Sequence, residues 1–434
     1  MLFLSLALAC FPPYEPFEDS ESSGQLSTSE IIDANGGIVS LGDVTLEIPE
    51  GALDSEVQIT ISETDQIPGE PYVPYSSVWL FEPDGLVFST PVQVSIAYDD
   101  RGEGDPLLFW SNFDGDYDEL AAIDNGLALT AWVDHFSTGF AGTYQQQTFH
   151  HAFEPAALDV LFVVDNSGSM EEEQYKMSTA SGNLLSFVND HLMDWHVGVV
   201  TTDMAKPTMQ GRLQDINGQL YLDETSSNAS THLATALQPG TLGSSNEKGL
   251  AAAYSAIELL SSGDNAGFYR SEAQLAVFVI SDEDDQSGEN PFGLTDFINW
   301  FSGLKPDLSE VSFHSVVGTG SCYDAIETGA RYINVTDAVG GGKLSICAAD
   351  YSPIVEGASA SWYTSAPLEL AQVPDENTLV VTVHDGSSST VLAEKYYTFQ
   401  ASRNALRLVG FVPEQGATIE INYEVASNQE DTGL

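Results

Sequence analysis

A short apolar run that ends abruptly in acidic and hydroxyl side chains constrains the fold of this chain more than any other feature. Residues 161–164 are all apolar, and Asp165, Ser167 and Ser169 follow them at alternate positions. The run is too short for an amphipathic helix and indicates a strand buried on both faces. Apolar residues four apart, from Leu184 onward, predict a helix next. A buried strand, a polar loop and a helix begin an α/β unit, in which ligands bind at the carboxyl ends of the strands.

Three further apolar runs end in Asp or Gly, as the first does: residues 197–203, 275–282 and 311–318. If all four runs are parallel strands, Asp165, Asp203 and Asp282 gather at one edge of the sheet. The serines add hydroxyl groups there. Carboxylate and hydroxyl oxygens are hard ligands that suit Mg²⁺, Mn²⁺ or Ca²⁺. The competing interpretation of the Asp-x-Ser-x-Ser segment is a capped helix start with acidic residues in its first turn.

Asp165, Ser167, Ser169 and Asp282 also match a known pattern. Residues 157–358 resemble a von Willebrand factor type A domain with a metal-ion-dependent adhesion site. The resemblance implies a doubly wound parallel sheet and one divalent cation, Mg²⁺, Mn²⁺ or Ca²⁺. Ser167 and Ser169 would hold the cation directly, and the two aspartates directly or through water. One coordination position would stay open for a carboxylate from a partner.

The second loop of that family supplies a threonine, and here its equivalent is ambiguous. Thr241, Ser244, Ser245 and Glu247 each offer an oxygen before a predicted helix, and we favour Ser245. Two more carboxylates are candidates as ligands or as partners of ligands: Asp203 and Asp284. Residues 203–238 form a long polar excursion, which we expect to overhang the metal-binding edge, although simple padding is an equal alternative.

The charge of the chain limits its partners. Acidic residues number 65 against 12 basic ones among 434, giving a formal charge of -53. Such a field repels nucleic acid and anionic membranes and favours divalent cations. The plain alternative is a solvated acidic surface. A hydrophobic content of 42% argues against a disordered chain, and the length suggests about three domains.

The first residues indicate export. Residues 1–10 are apolar and end in Cys10, and they resemble the end of a bacterial lipoprotein signal with a cysteine that would be lipidated. A plain secretory signal with a chance cysteine is the alternative. Residues 11–30 are rich in Pro, Ser and Glu and predict an acidic tether. No run is long enough to span a membrane, so we expect membrane contact only through a lipid anchor.

Residues 31–143 alternate between apolar and polar residues, which predicts an antiparallel β-sandwich. Short motifs in it resemble the ZU-type domain of ankyrins and netrin receptors: Gly36-Gly37 and residues 48–52, 91–95 and 135–137. Some relatives of that domain cleave themselves at a His-Phe-Ser tripeptide. Here Ser137 would attack the carbonyl of Phe136, with His135 as general base. The alternative is a strand end whose phenylalanine belongs to the core.

The remaining segments carry no chemical motif. Residues 144–156 predict a linker, and residues 359–434 predict a small C-terminal β-domain, with alternation clearest from Ile419. In an exported chain, Cys322 and Cys347 are expected to pair, which stabilises the fold by about 3–4 kcal/mol on the chain-entropy model. Two free buried thiols are the alternative.

The expected architecture is therefore multidomain α/β plus all-β: a doubly wound parallel-sheet type A domain between an N-terminal β-sandwich and a small C-terminal β-domain. No zinc-protease, serine-hydrolase or dinucleotide-binding motif is present, which favours a function other than catalysis. We expect an exported, lipid-anchored adhesion or ligand-binding protein of the cell envelope, whose partner is a protein or surface ligand that presents a carboxylate. A self-cleaving envelope protein and a structural envelope scaffold are the alternatives.

Overall fold

The computed structural model describes residues 26–99, 101–102, 104–112, 116–191, 193–288 and 293–426. The chain divides into two compact units, one ending at Gln146 and the other spanning residues 147–426. The predicted signal with Cys10 lies outside the described residues, as does the predicted tether up to residue 25. The boundaries expected from the sequence stay predictions.

The first unit is built from two antiparallel sheets. Its strands, in chain order, are β1 (Ser27–Ile32), β2 (Gly37–Leu41), β3 (Val44–Ile48), β4 (Val57–Thr64), β5 (Tyr72–Pro74), β6 (Val78–Glu82), β7 (Val87–Ala97), β8 (Leu107–Ser111), β9 (Tyr117–Leu120), β10 (Ile123–Asp124), β11 (Ala128–His135) and β12 (Thr138–Tyr144). One sheet has the order β1-β4-β6-β12-β8-β9, with β5 paired to β12, and the other has the order β10-β11-β7-β3-β2.

The apolar alternation seen in the sequence fills the space between these sheets. Val44, Leu46 and Ile48 of β3 are buried while the residues between them are exposed. They share one core with residues of the other sheet, among them Ile59 and Phe81. Inward-facing apolar residues on both sheets are what a sandwich requires, and this part of the chain has the all-β architecture that the alternation predicts.

The second unit contains a five-stranded parallel sheet. Its strands are β14 (Ala157–Val164), β15 (Asp194–Thr201), β16 (Gln274–Ser281), β17 (Val311–Val317) and β18 (Lys343–Ser345), in the order β15-β14-β16-β17-β18. The chain passes from β14 to β15 on one side of β14 and then continues with β16, β17 and β18 on its other side, so the direction in which strands are added reverses at β14. In open α/β sheets this is the switch point, where a crevice forms at the carboxyl ends of the strands.

Helices cover both faces of this sheet. They are α1 (Glu171–Asp190), α2 (Ala229–Ala236), α3 (Gly249–Tyr254), α4 (Leu294–Ser302), α5 (Ala330–Val339) and α6 (Ser352–Ser359). Leu184 of α1 and Ile354 of α6 belong to the core on one face. Leu233 of α2 lies on that face too, whereas Leu250 of α3, Phe297 of α4 and Tyr332 of α5 belong to the core on the opposite face. Both faces of β14, β15, β16 and β17 are thus largely buried, which explains why these strands are apolar without alternation.

The polar excursion after β15 lies beside that strand. Val197 and Leu222 exchange two backbone hydrogen bonds, of 2.8 and 2.9 Å, and Gln214 N–H donates to the Val199 carbonyl. Because Val197 is in the middle of β15, this part of the excursion covers the outer edge of the sheet. Overhang of the metal-binding edge and simple padding were equal alternatives for this segment, and this part of it pairs with an edge strand.

The last part of the chain forms two small sheets. Their strands are β13 (Gln146–Ala152), β19 (Leu368–Glu369), β20 (Val380–Asp385), β21 (Ser388–Val391), β22 (Tyr397–Gln400), β23 (Ala405–Leu408) and β24 (Thr418–Glu424). The sheet orders are β13-β24-β20-β21 and β19-β23-β22. The sequence predicted a linker at 144–156, but the structure has β13 there, paired with β24.

A buried ion pair ties β23 to the parallel sheet within this unit. Arg407 donates from Nη1 to Glu310 Oε1 at 2.9 Å and from Nε to the Ser365 carbonyl at 2.9 Å. Its guanidinium also lies over the ring of Tyr363. Glu310 directly precedes β17, so this contact joins the two kinds of sheet. None of the described helices is both long and apolar enough to cross a membrane.

Candidate metal centre

Asp165 lies directly after β14, and its carboxylate is held in place from both sides. Its N–H donates to the Ile280 carbonyl at 2.9 Å, which extends the pairing of β14 with β16. Oδ1 accepts the N–H of Ser167 at 2.8 Å, and Oδ2 accepts the hydroxyl of Ser281 at 2.7 Å. The residue is completely buried. The alternation of polar residues after the strand therefore produces a tight turn around one fixed carboxylate.

The two serines of the first loop lie side by side. The hydroxyl oxygens of Ser167 and Ser169 are 3.4 Å apart. Burial raises the pKa of the nearby Asp282 carboxyl, and the hydroxyl of Ser169 acts against that rise. Helix α1 begins two residues later, at Glu171. The loop thus presents two hydroxyls between the carboxylates that follow β14 and β16.

Asp282 lies directly after β16, next to Asp165 in the sheet. It is 2% exposed, and its Oδ1 is buried without a hydrogen-bond partner. Its main-chain carbonyl accepts the N–H groups of Ile326 at 2.9 Å and Glu327 at 3.0 Å. The main chain of Asp282 is thus fixed, while one carboxylate oxygen remains available to a ligand.

Glu247 is the side chain of the second loop that reaches this edge. It is completely buried, its Oε2 accepts the hydroxyl of Thr202, and its carboxylate lies in hydrogen-bonding contact with that of Asp165. Its Oε1 has no hydrogen-bond partner. Ser245, which we favoured from the sequence, is exposed, and Thr241 is only half-buried. Glu247 is therefore the second-loop candidate that is buried at this edge, and Ser245 stays a prediction.

Gln174 joins the first loop to the second, and sequence analysis missed it. Its Nε2 donates to the carbonyl of Asp165 at 2.8 Å and to that of Gly240 at 2.9 Å. Gly243 N–H donates to the Asn166 carbonyl at 2.7 Å, and a Cβ at Gly243 would lie 2.1 Å from the side chain of Asn166. A glutamine in the first turn of the helix that follows such a loop is the sequence signal that could have identified Gln174.

Four acidic side chains at this edge interact electrostatically, and we call them the carboxylate cluster: Asp165, Glu247, Asp282 and Glu283. Burial and the charge of Asp165 raise the pKa of Glu247 to about 8. Burial raises the pKa of Asp165 as well. Burial, followed by the charge of Asp165, raises the pKa values of Asp282 and Glu283. Like charges in a buried site disfavour ionisation of each other, so the cluster favours a cation.

The cations near this edge are paired with other acids: Lys176 with Glu173 and Asp324, Lys206 with Asp203, and Arg331 with Asp285. The negative charge of the cluster is therefore not balanced by these basic side chains.

Two predicted candidates have structural roles. Oδ1 of Asp203 accepts the N–H groups of Ala205 and Lys206; although burial acts against it, these bonds lower its pKa. Oδ1 of Asp284 accepts the N–H groups of Asp285 and Arg331. Both carboxylates follow strands of the sheet, as predicted; Asp203 also accepts the N–H of Ser244 in the second loop, and the bond from Arg331 ties Asp284 to helix α5.

The donor set fits a divalent cation. The cluster and the serines supply carboxylate and hydroxyl oxygens, and buried oxygens of Glu247, Asp282 and Asn166 have no hydrogen-bond partner. Buried polar atoms are normally paired, so such atoms point to a missing ligand. Among the residues that the structure describes, no three His, Cys, Asp or Glu side chains alone form a group that could hold an ion. Serine hydroxyls and water would have to complete the coordination.

A disulfide constrains the loop whose N–H groups bind the main-chain carbonyl of Asp282. Cys322 and Cys347 are bonded, which confirms the predicted pair, and Asp324 N–H contacts Cys347 Sγ at 3.2 Å. The bond anchors the loop whose N–H groups bind the Asp282 carbonyl. Disulfides persist in oxidising compartments, which agrees with an exported protein.

The self-cleavage tripeptide has a different environment from the one that the reaction requires. Both ring nitrogens of His135 have partners: Nδ1 lies 2.8 Å from the Asp134 carboxylate and Nε2 lies 3.3 Å from the Ser111 carbonyl. Phe136 is completely buried, and its carbonyl accepts the N–H of Gly85 at 2.9 Å. Attack by Ser137 would need a ring nitrogen of His135 to accept its proton, and both ring nitrogens face other oxygens. These contacts favour the interpretation of Phe136 as core.

Comparison with known proteins adds distant structural neighbours. No family model matches the chain, and no curated protein matches it. A von Willebrand factor type A protein from Catenulispora acidiphila is 12% identical, with a TM-score of 0.32, over 84% of this chain and 68% of that one. Proximal thread matrix protein 1 from the mussel byssus is 11% identical, with a TM-score of 0.32, over 49% of each chain. The pilus adhesin SpaC from Lactobacillus rhamnosus GG is 13% identical, with a TM-score of 0.30, over 86% of this chain and 52% of that one. This chain thus spans about half the length of the latter two proteins.

Proposed function

We propose that this chain is an exported adhesion or ligand-binding protein in which a divalent cation at the carboxylate cluster binds a carboxylate of its partner. Ser167 and Ser169 would hold the cation directly, and Asp165, Asp282 and Glu247 would hold it directly or through water. The cation would supply the positive charge that the partner's carboxylate needs. The protein's part is to fix these oxygens at the switch point of the sheet and to leave one position open.

The observation that supports the proposal most strongly is the pair of buried carboxylate oxygens without partners, Oε1 of Glu247 and Oδ1 of Asp282. An unpaired buried carboxylate is costly, and a cation that accepts its lone pair removes that cost. The two residues come from different loops, so local turn geometry does not account for both. The disulfide and the hydrogen bonds of Gln174 hold these loops rigidly, as a pre-organised ion site requires.

Calorimetry with Mg²⁺, Mn²⁺ and Ca²⁺ on the native chain and on Asp165→Ala tests the proposal. We expect one site on the native chain, with a rise in the unfolding temperature as the cation concentration increases, because a ligand of the folded state stabilises it. Asp165→Ala should lose both effects. Equal heats from the two proteins would favour the structural scaffold instead.

Lipid anchoring at Cys10 is part of the same proposal. We expect a Cys10→Ser variant, expressed from the full precursor in a bacterial host, to lose incorporation of labelled palmitate and to leave the membrane fraction. Unchanged incorporation would contradict anchoring at this cysteine.

A further inference from the structure

Two of the most solvent-exposed large apolar side chains in the described residues lie on loops that border the carboxylate cluster. Tyr323 is fully exposed and Leu242 is 90% exposed, more than any other large apolar side chain in the part of the chain that the structure covers. Single exposed apolar residues are normal at a protein surface. Here, however, the two most exposed of these side chains lie on separate loops around one candidate site, so we consider them together.

Leu242 belongs to the second loop and lies next to the first. The N–H of Gly243 donates to the Asn166 carbonyl at 2.7 Å, and Lys206 Nζ donates to the Leu242 carbonyl at 2.6 Å. Asn166 directly follows Asp165. The main chain around Leu242 is therefore fixed beside the cluster, while its side chain remains in solvent.

Tyr323 belongs to the loop that binds the Asp282 carbonyl. The preceding residue, Cys322, is in the disulfide, and the N–H of Ile326 donates to Asp282 at 2.9 Å. Ile326 is itself 58% exposed. A fixed loop loses little conformational entropy on binding, and rigid exposed aromatic residues are effective anchors at protein interfaces.

The charge around these side chains limits the partner further. Asp324 and Glu327 share the loop of Tyr323, and Glu283 follows Asp282. Lys176, 3.6 Å from Asp324, also lies 3.7 Å from Glu173, so it balances little of this charge. A chain of repeated negative charges, such as a polyuronate, would be repelled from every position except the cation. A single carboxylate between apolar groups avoids that repulsion.

We propose that Leu242, Tyr323 and Ile326, here called the apolar rim, select a protein segment that carries one acidic side chain with large apolar side chains beside it. The inference rests on the proposed cation site, which would bind the acidic side chain. The rim then provides the apolar contacts that an acidic polysaccharide cannot use. The partner inferred from these contacts is therefore a protein.

The test is a selection from a library of short random peptides displayed on phage, with the full chain immobilised in Mg²⁺. We expect the native chain to enrich peptides in which Asp or Glu is flanked by Leu, Phe, Ile or Trp. A Leu242→Ser/Tyr323→Ser double variant should still enrich acidic residues but not their apolar neighbours. Its affinity for a selected peptide should fall by at least about tenfold, because two buried apolar contacts are lost.

A matched control variant is Leu259→Ser/Val391→Ser. These two side chains are 62% and 65% exposed and lie on neither bordering loop, so this variant should behave as the native chain does. Apolar enrichment that survives in the rim variant, or tighter binding of oligogalacturonate than of any selected peptide, would overturn the assignment.

The same selection separates this inference from the proposed function. If EDTA or Asp165→Ala leaves the enrichment of acidic residues unchanged, the cation does not bind the partner and the proposed function fails. If cation-dependent enrichment of acidic residues occurs without apolar neighbours, the proposed function stands and the rim inference alone is wrong. If no peptide is enriched while calorimetry shows cation binding, the assignment to a protein partner is wrong.

Discussion

Glu247 brings its carboxylate against that of Asp165, although the two residues belong to different loops, and the hydroxyl of Thr202 holds it there. Two buried carboxylates in contact repel each other unless a proton or a cation lies between them. This contact is the reason for assigning Glu247, rather than a hydroxyl residue, to the second loop of the proposed cation site.

The assignment predicts opposite outcomes for two neighbouring residues. Glu247→Gln removes a carboxylate oxygen from the site and should weaken Mn²⁺ binding by about tenfold or more. The cation-free protein should keep its stability at neutral pH, because the raised pKa of about 8 already leaves the Glu247 carboxyl largely protonated. Ser245→Ala, a change at an exposed residue of the same loop, should leave both unchanged. Calorimetry and thermal unfolding of the two variants measure this. A large loss of affinity in Ser245→Ala alone would restore the interpretation made from the sequence.

Gln174 is expected to act on the site without touching the cation. Gln174→Ala leaves the carbonyl of the buried Asp165 and that of the exposed Gly240 without this donor. We expect a loss of about 1–3 kcal/mol in the free energy of unfolding and about 10–100-fold in cation affinity. Urea unfolding and calorimetry check the two effects, with Ser186→Ala on the exposed side of the same helix as control. An unchanged affinity would mean that the loops hold their positions without this residue.

Arg407 and Arg403 both pair with Glu310, and we expect their replacement to lower the free energy of unfolding by different amounts. Arg407→Met leaves a buried carboxylate with one partner fewer, and we expect a loss of about 3 kcal/mol, at the lower end for a broken buried pair because Arg403 remains. Arg403 lies 2.8 Å from the other oxygen of Glu310 but is more exposed, so Arg403→Met should cost less. Urea denaturation of both variants measures the difference, and equal losses would contradict the account.

The buried side chain of His314 makes the free energy of unfolding depend on pH. Burial lowers its pKa to about 4, and its Nδ1 accepts the N–H of Gly342 at 2.8 Å, which requires the neutral ring. The unfolded chain takes up a proton near the ordinary pKa of about 6.5, so the unfolded state binds more protons between these values. The free energy of unfolding should therefore fall as the pH falls, by about 2 kcal/mol from this residue between about pH 7.5 and about pH 5.

The variant His314→Asn isolates that contribution, because other buried groups also titrate. Burial raises the pKa of Asp159 to about 6, which has the opposite effect on stability. Between about pH 7.5 and about pH 5, the free energy of unfolding of the native chain should fall by about 2 kcal/mol relative to that of the variant. The same slope in both proteins would contradict the assignment of this term to His314.

The sequence placed Asp165 and Asp282 at the ends of neighbouring strands, and the structure has them there, because a buried parallel strand is a strong local signal. It could not choose between Ser245 and Glu247, since the second loop takes its shape from distant contacts, such as those of Gln174 and Thr202. Strand β13 was missed for a similar reason. Its partner, β24, is near the other end of the chain, and a polar, glutamine-rich segment resembles a linker until that partner is known.

The most direct test of the central claim is diffraction from crystals of the native chain soaked in Mn²⁺, with data collected for anomalous scattering. The account predicts one strong anomalous peak at the carboxyl ends of β14 and β16, within about 2–2.6 Å of oxygens from Ser167, Ser169 and at least one residue of the carboxylate cluster. The absence of a peak there at saturating Mn²⁺ would contradict the proposal. So would a peak elsewhere, with the carboxylates of Asp165 and Asp282 turned away from it.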